Sequence, residues 1–238
     1  MKILAIDTSS MVASAAVMDD QKLLAEHIVN HKRTHSEQLM PIIERVLESC
    51  DVKVRDLDAI AVASGPGSFT GLRIGAATAK GLAHACGIKI VGVPTLDGLA
   101  FNLSFCQGII CPIMDARRNQ VYTALYKWEG GSLFKLMPHC AIALNELLED
   151  LKKREERVVF LGDGVPVHRK TIQRALGDRA GFAPKSAGRQ RASSIAELAL
   201  QALERGEGQN AETFVPFYLR KSQAEREYDR KAKPGGGL

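Results

Sequence analysis

The stretch that decides the fold is Ser64-Gly65-Pro66-Gly67-Ser68-Phe69-Thr70-Gly71-Leu72-Arg73-Ile74-Gly75. It follows an apolar run at 59–63 that predicts a buried strand, and it leads into a stretch at 76–86 with few helix breakers. A strand, a Gly/Pro turn and a helix therefore follow one another, with Thr70 as the predicted N-cap. Free backbone N–H groups at a helix start attract anions, so this corner is a candidate anion site.

Small residues line this predicted helix. They form two rows with a spacing of four, which are Gly71, Gly75, Ala79 and Ala83, and Ala77, Gly81 and Ala85. Glycine inside a helix costs about 1 kcal/mol, so the pattern favours close approach of another backbone. Two interpretations stay open: packing against the chain's own sheet, or packing against a helix of another subunit. A phosphate loop is disfavoured because the motif G-x-x-x-x-G-K-[ST] is absent.

Composition limits the classes of protein to which the chain can belong. Its 238 residues are 45% hydrophobic and carry a net charge of +5, of which +3 lies in the segment Arg220–Lys233. The remainder is too weakly basic to predict a surface that tracks phosphates, so any nucleic-acid contact is expected in that segment. Five cysteines without a C-x-x-C motif predict reduced thiols. No apolar run is long enough for a membrane span, and Asp7 interrupts any signal peptide, so we expect a cytoplasmic protein without a membrane partner.

The chain begins twice in the same way. Asp7 and Asp115 each end an apolar strand, and each is followed by a polar turn and a second strand. Both halves then continue with strands and crossover helices. This pattern predicts an α/β protein with the duplicated, two-lobed ribonuclease-H-like architecture of actin, Hsp70 and sugar kinases. We expect an N-terminal lobe at 1–107, a second lobe at 108–220 and a flexible basic tail at 221–238.

Two further helix starts are predicted from capping boxes. Thr34 and Glu37 begin a helix that runs to about Cys50 and contains Pro41, which predicts a kink or a late start. Its apolar face consists of Leu39, Ile42, Ile43, Val46 and Leu47. Ser194 and Glu197 begin a second helix in the same manner.

The Ser64–Gly75 motif resembles the signature of the bacterial TsaB (YeaZ) family, which are non-catalytic paralogues of the TsaD/Kae1 threonylcarbamoyl-transferases. The likeness extends to residues 3–8, 35–47, 114–117 and 218–220, and therefore to nearly the whole chain. The resemblance implies an actin-like fold with a reduced second lobe. It also implies a scaffold subunit of a tRNA modification complex rather than an enzyme.

The resemblance implies partners as well. These are a TsaD-like catalytic subunit and a TsaE-like ATPase, with tRNA reached only through the complex and a homodimer formed when the chain is alone. In the family the helices at about 35–50 and 71–86 form the contact. The candidate interface residues are Leu39, Ile43, Gly71, Leu72, Ile74, Gly75, Ala79 and Ala83, each of which can equally belong to the core.

An ATP-dependent phosphotransferase or hydrolase of the actin-like superfamily is the alternative. Its weak candidate nucleotide-binding residues are Asp7, Asp115, Gly162 and Gly164. Bulky residues follow both aspartates, where a phosphate needs open backbone N–H groups. Carboxylates satisfied by their own turns are therefore the favoured interpretation, and no cofactor is expected.

Metal and nucleophilic chemistry are disfavoured as well. His31 and His35 have i, i+4 spacing, but the predicted cap at Thr34 leaves His31 outside the helix. The resemblance places the metal-binding histidines of catalytic relatives at Thr95 and Leu99, and leucine binds no metal. Ser64 and Ser68 do not stand in a G-x-S-x-G elbow. We therefore expect no catalytic and no metal-binding residue.

Overall fold

The computed structural model describes residues 1–30 and 34–220, and these residues contain two five-stranded sheets. The strands of the first sheet are β1 (Lys2–Asp7), β2 (Ala13–Asp19), β3 (Leu23–Val29), β4 (Ala59–Gly65) and β5 (Lys89–Pro94). Their order across the sheet is β3-β2-β1-β4-β5. The first three strands pair antiparallel, whereas β4 and β5 run parallel to β1.

The second sheet repeats this arrangement. Its strands are β6 (Ile109–Asp115), β7 (Gln120–Glu129), β8 (Ser132–Ala143), β9 (Val158–Leu161) and β10 (Ala180–Phe182). The order β8-β7-β6-β9-β10 and the strand directions match those of the first sheet. The predicted duplicated ribonuclease-H-like fold is confirmed. The short strand β10 was not predicted, because three residues carry no usable alternation of apolar and polar positions.

Each half also contributes three helices from the described residues. They are α1 (His35–Glu48), α2 (Phe69–Cys86), α3 (Thr95–Phe101), α4 (Leu144–Lys152), α5 (Val165–Leu176) and α6 (Ala192–Glu204). Short 3-10 turns lie at Val54–Asp56 and Gly177–Arg179. The crossover helix of the second half, α5, has 12 residues, and its counterpart α2 has 18. The helical layer of the second half is therefore the smaller one.

Two helices cover one face of each sheet. In the first half α1 and α2 pack on residues such as Leu4 and Val62 through Ile43, Ala79 and Ala83, all of them buried. In the second half α4 and α5 cover the sheet in the same way, through the buried residues Leu147, Leu148, Leu151, Ile172 and Leu176. The apolar faces of these four helices therefore pack on the sheet of their own half.

The last helix of each half packs on the sheet of the other half. Helix α6 covers the free face of the first sheet, and helix α3 packs against β6 and β7. Helix α6 and residues 209–214, which lie in the segment expected to form the second lobe, thus contact the first half. The reason is steric: both the first sheet and α6 are rich in alanine here, so the two backbones approach closely.

Two predicted helix starts are also corrected. Helix α2 is capped by Ser68 rather than Thr70, and the Ser68 hydroxyl accepts the Gly71 N–H at 3.3 Å. Helix α6 starts at Ala192, so Ser194 lies inside its first turn and forms no capping box. Thr34 is the N-cap of α1, although its side chain makes no capping hydrogen bond. The tail at 221–238 and His31 lie outside the described residues.

Other expectations from composition concern the thiols and the membrane. All five cysteines are free. Burial raises the pKa of the Cys111 thiol to about 12, so this group is an inert core residue. Among the helices of residues 1–30 and 34–220, none combines the length and the apolar character that a membrane span requires.

Candidate functional site

The glycine-rich corner closes over the turn that follows β1. A Cβ atom at Gly67 would overlap the carbonyl oxygen of Ser9, and one at Gly71 would overlap the carbonyl oxygen of Thr8. Gly75 faces the Thr8 side chain in the same manner. These glycines are therefore required for the close approach of α2 to the chain's own first turn, which is the first of the two interpretations left open by the sequence.

Hydrogen bonds lock this contact. The Ser68 N–H donates to the Ser9 carbonyl at 2.7 Å, and the Thr8 hydroxyl donates to the Gly71 carbonyl at 2.7 Å. The Ser68 side chain accepts the Gly71 N–H, as described above. The N–H groups of Ser68 and Gly71 thus receive partners from within the chain. The backbone of Thr8 and Ser9 packs directly against the start of α2.

Asp7, at the end of β1, is a buried carboxylate held by its own turn. Its Oδ1 accepts the Ser9 N–H at 2.8 Å and the Ser9 hydroxyl at 2.6 Å. Burial raises the pKa of Asp7 to about 6, and the hydrogen bonds from Ser9 only partly oppose this rise. His35, the first residue of α1, contacts the Ser10 carbonyl through Nε2 at 2.6 Å and so seals the turn from the other side.

The corresponding end of β6 is more open. Asp115 is exposed, and its Oδ1 accepts the Arg117 N–H at 2.8 Å. The Asp115 N–H donates to Asp163 Oδ1 at 3.1 Å, and burial raises the pKa of Asp163. Each strand end therefore carries an aspartate that is engaged by the turn after it.

The glycines Gly162 and Gly164 after β9 accommodate backbone rather than an empty loop. Gly162 has φ 105°, and a Cβ atom there would overlap the Ile113 carbonyl oxygen. The Gly164 N–H donates to that same oxygen at 3.1 Å. Both weak nucleotide candidates therefore have a structural explanation in the packing of β9 against β6.

A cleft of about 570 Å³ separates the two corners. Its lining consists of Ser10, Met11, Val12 and Asn30 from the first half and Asp163, Pro166 and Arg189 from the region of the second half. Behind it, the Ser10 hydroxyl donates to Gln190 Oε1 at 2.9 Å, and Gln190 is buried. The cleft is therefore lined by the turn after β1 and the turn after β9.

The two positions at which the resemblance places metal ligands of catalytic relatives are buried. Thr95 and Leu99 lie on α3 and are fully or almost fully buried. The Leu99 side chain belongs to the apolar cluster between α3 and the second sheet. Among residues 1–30 and 34–220, no group of three or more histidine, cysteine, aspartate or glutamate side chains is placed to hold a metal ion.

A polar cluster that the sequence did not reveal joins α3 to the second sheet. Asp97 accepts hydrogen bonds from the Tyr126 hydroxyl at 2.5 Å and from His139 Nε2 at 2.6 Å, and Lys135 lies 3.0 Å away. Burial opposes ionisation of Asp97, but His139, Tyr126 and Lys135 together outweigh it and lower the pKa. These residues lie up to 42 positions apart, so no local motif marks them.

The C-terminal strap, residues 209–220, was only partly foreseen. Gln209 pairs with Ile90 of β5, and the buried Phe214 ring packs against Gly92. The Phe217 N–H then donates to the Ser64 carbonyl at 2.7 Å, beside the glycine-rich corner. At its end the Arg220 guanidinium donates to the Ala116 carbonyl at 3.0 Å. The strap therefore runs across the first half and reaches the turn after β6.

Seven of the eight predicted interface residues are buried in the chain itself. They are Leu39, Ile43, Gly71, Leu72, Gly75, Ala79 and Ala83. Their face of α1 and α2 packs on the first sheet and its turns, which is the core interpretation that the sequence left open, and their part in an interface stays a prediction. The eighth residue, Ile74, is partly buried against the same core.

The other row of small residues is the exposed one. Ala77, Gly81 and Ala85 point outward from α2, and a Cβ atom at Gly81 would meet nothing within 4 Å. On the neighbouring helix α1, Met40 is 50% exposed. We call these four residues the outer face. Its signal was present in the sequence as the second row, but spacing alone does not tell which row faces the core.

Comparisons with known proteins agree with this fold. Residues 22–228 match the family described as TsaD, tRNA N6-adenosine threonylcarbamoyltransferase. The chain is 40% identical over 233 residues to the tRNA threonylcarbamoyladenosine biosynthesis protein TsaB of Bacillus subtilis, covering 98% of this chain and 100% of that protein. The solved structure of YeaZ from Pseudomonas aeruginosa superposes with a TM-score of 0.75 at 26% identity, covering 92% of this chain and 99% of that one.

A more distant likeness shows the fold alone. Component A of the (R)-2-hydroxyglutaryl-CoA dehydratase of Acidaminococcus fermentans has a TM-score of 0.51 at 13% identity, covering 86% of this chain and 99% of that one. The nearly complete coverage of the Bacillus subtilis protein decides between the wide superfamily and one branch of it. The chain belongs to the TsaB (YeaZ) family.

Proposed function

We propose that the chain is a non-catalytic scaffold subunit in tRNA threonylcarbamoyladenosine biosynthesis. It binds a TsaD-like transferase and acts together with a TsaE-like ATPase, and tRNA reaches it through that complex. Alone, it forms a homodimer through the surface that the transferase otherwise covers. A tRNA-modifying complex acts where tRNA is processed, so the proposed location is the cytoplasm. Family membership supports the pathway, and the geometry of the strand ends supports the role within it.

The observation that carries the non-catalytic role is the filled glycine-rich corner. Thr8 and Ser9 press their backbone against Gly67 and Gly71, where a phosphate would need open N–H groups. Asp7 is turned into its own turn and is buried. These contacts favour a scaffold over the alternative, an ATP-dependent phosphotransferase or hydrolase that uses Asp7 and Asp115.

The outer face is the proposed contact surface. Ala77, Gly81 and Ala85 leave a shallow groove along α2, and small side chains allow two helices to pack closely. Met40 on α1 adds a flexible apolar side chain that adapts to a partner surface. This surface replaces the buried residues predicted from the sequence.

The test is co-purification with the TsaD-like protein of the same organism. Ala77→Leu combined with Gly81→Leu fills the groove without touching the chain's own core, because nothing lies near Gly81. We expect this variant to fold as the wild type does and to pair at least about 10-fold more weakly, since overpacking a contact costs about 1–3 kcal/mol. Thr171→Leu, on the exposed side of α5, is the matched control and should pair normally.

Two outcomes would contradict the proposal. A wild-type chain that fails to pair but hydrolyses ATP alone is an enzyme, and the scaffold role is then wrong. A groove-filled variant that pairs as tightly as the wild type moves the contact surface away from the outer face. Thermal unfolding of each variant separates lost pairing from lost folding.

A further inference from the structure

Arginine and aromatic side chains form a continuous surface from the start of α2 to the turn after β6. We call it the arginine strip, and its members are Phe69, Arg73, Arg117, Arg118, Tyr218 and Arg220. Arg73, Arg117 and Arg118 are exposed, whereas Phe69, Tyr218 and Arg220 are half-buried. The proposed function gives none of these residues a role.

Direct contacts connect the strip. The Arg73 guanidinium lies 3.9 Å from the centre of the Phe69 ring, and the Phe69 and Tyr218 rings lie 5.0 Å apart. Two residues beyond Tyr218, Arg220 donates to the Ala116 carbonyl at 3.0 Å, which places it beside Arg117. The C-terminal strap thus joins an aromatic pair on the first half to the arginine turn of the second half.

The positive charges of the strip are not neutralised by the described part of the chain. Arg191, for comparison, lies 2.5 Å from a carboxylate oxygen of Glu26. Within residues 1–30 and 34–220, no carboxylate lies within ion-pair distance of Arg73, Arg117, Arg118 or Arg220. Asp115 accepts only the backbone N–H of Arg117. Among the described residues, these four guanidinium groups therefore have no carboxylate partner.

The turn that carries two of these arginines has an unusual backbone. Arg117, Arg118 and Asn119 have φ angles of 62°, 55° and 58°, a left-handed region in which asparagine and glycine are the favoured residues. Hydrogen bonds fix the turn, from the Gln120 N–H to the Arg117 carbonyl at 3.2 Å and from the Leu144 N–H to the Asn119 carbonyl at 3.2 Å. Arginine is thus present at two positions where backbone preference selects against it.

We propose that the arginine strip binds a single-stranded part of the tRNA, with Arg117, Arg118 and Arg220 on its phosphates and an unstacked base on the exposed Arg73 guanidinium, which itself lies over the Phe69 ring. Proteins recognise unpaired RNA through this combination of guanidinium groups and aromatic rings. The strip also begins at Arg73, one helical turn before Ala77 of the outer face. RNA that is held by a partner on that face can therefore continue onto the strip.

This inference rests on the proposed function, and it differs from the expectation that nucleic-acid contact belongs to the tail. The net charge of the body is small, but the strip brings four arginines together. A protein partner with an acidic surface would also suit the arginines. Such a partner would pair with the guanidinium charges alone. It would not use the stacked Arg73 and Phe69 side chains, on which a flat base can lie.

The experiment uses the full chain in complex with its TsaD-like partner and a fluorescein-labelled, unmodified tRNA transcript. Arg117→Asn with Arg118→Asn removes two charges while supplying a residue that suits the left-handed backbone. We expect unchanged or slightly higher thermal stability and RNA affinity at least about 5-fold lower. The salt dependence of log K should become less steep by about 1.4–1.8, because each lost phosphate contact contributes about 0.7–0.9.

The matched control is Lys170→Gln with Arg174→Gln, which removes two exposed charges from α5 and should leave RNA affinity unchanged. The proposal is overturned if the strip variant pairs with the partner and binds RNA as the wild type does. It is also overturned if that variant loses the partner, since the strip then belongs to a protein interface. A wild-type chain that never pairs instead refutes the scaffold role, which is a separate result.

Discussion

The two strand-end corners of the duplicated fold have the same hydrogen bonds and different surroundings. Asp7 and Asp115 each accept the N–H of the second residue after them at 2.8 Å. Gly65 is the last residue of β4 and Gly162 follows β9 directly, and both have a left-handed φ, 117° and 105°. However, Asp7 is 1% exposed, whereas Asp115 is open to solvent. The two halves therefore share the hydrogen bonds of the strand-end turn. The packing around each turn decides whether its aspartate is buried or exposed to solvent.

The difference arises from the crossover helices. Helix α2 carries Gly71 and Gly75, which let it settle on the turn after β1. Helix α5 begins with Val165 and Pro166 and has no glycine at all, so it does not close on the turn after β6 in this way. The first corner has thereby become part of a core, and the second has remained a surface that carries arginines.

The largest change in the free energy of unfolding is expected from adding one methyl group at the first corner, and a similar addition at the second corner is the comparison. Gly71→Ala places a Cβ atom on the Thr8 carbonyl oxygen, so α2 must move away from the turn, and the free energy of unfolding should fall by about 3 kcal/mol or more. Gly164→Ala places its Cβ atom 3.0 Å from the Ile113 carbonyl oxygen and should cost only about 1 kcal/mol. Urea denaturation measures both values. Equal losses would show that the two corners are packed alike.

A smaller change in the free energy of unfolding is expected at Asp7, and it depends on pH. Folded Asp7 holds its proton up to about pH 6, whereas the unfolded chain releases it near pH 4. This group therefore favours folding below about pH 4, and that contribution is lost as the pH rises to about 6. Asp7→Asn keeps an acceptor for Ser9 without the charge. It should be more stable than the wild type by about 1–3 kcal/mol at pH 8 and equally stable at pH 4.

Asp115→Asn is the matched control, because that carboxylate is exposed. Its effect on the free energy of unfolding should stay within about 0.5 kcal/mol at either pH. Chemical denaturation at pH 4 and pH 8 supplies the comparison. A pH-dependent gain from Asp115→Asn, or none from Asp7→Asn, would reverse the assignment of the buried corner.

The smallest change in the free energy of unfolding is expected at the contacts of α3 and α6, each of which packs on the sheet of the other half. Asp97 ties α3 to Tyr126 and His139 of the second half, and Glu26 ties α6 to the first half through Arg191. Asp97→Asn keeps the shape but weakens the charged hydrogen bonds, so it should cost about 1–2 kcal/mol at pH 7. The lowered pKa means that this loss persists above about pH 4 and disappears as the pH falls through the folded value. Asp150→Asn, in an exposed pair with Arg154, should cost under about 0.5 kcal/mol.

The order of strands and helices was readable from the sequence because turn residues separate its apolar runs. Asp7 and Asp115 marked the duplication, since each ends an apolar strand and is followed by a polar turn. The side of α2 that faces the core was not readable. Two rows of small residues have equal spacing, and only the position of Thr8 in three dimensions selects Gly71 and Gly75 as the buried row.

Contacts between distant segments were also beyond the sequence. No sequence pattern near Asp97 predicts its contact with His139. No pattern in the C-terminal strap predicts the hydrogen bond from the Phe217 N–H to the Ser64 carbonyl. Helix α6 looked like a member of the second half because it follows β10 in the chain. Its alanine-rich face fits the first sheet, which is a property of two surfaces and of neither alone.

The exchange of last helices sets the timing of folding during synthesis. The strands of the first sheet are complete at Pro94, but one of their faces stays bare until Ala192–Glu204 has been made. At about 5–20 residues per second, a ribosome needs roughly 5–20 seconds for that interval. During that interval one apolar face of the first sheet is therefore exposed to solvent on the nascent chain. The N-terminal half, although it comes first, depends on a helix that is made after all strands of the second half.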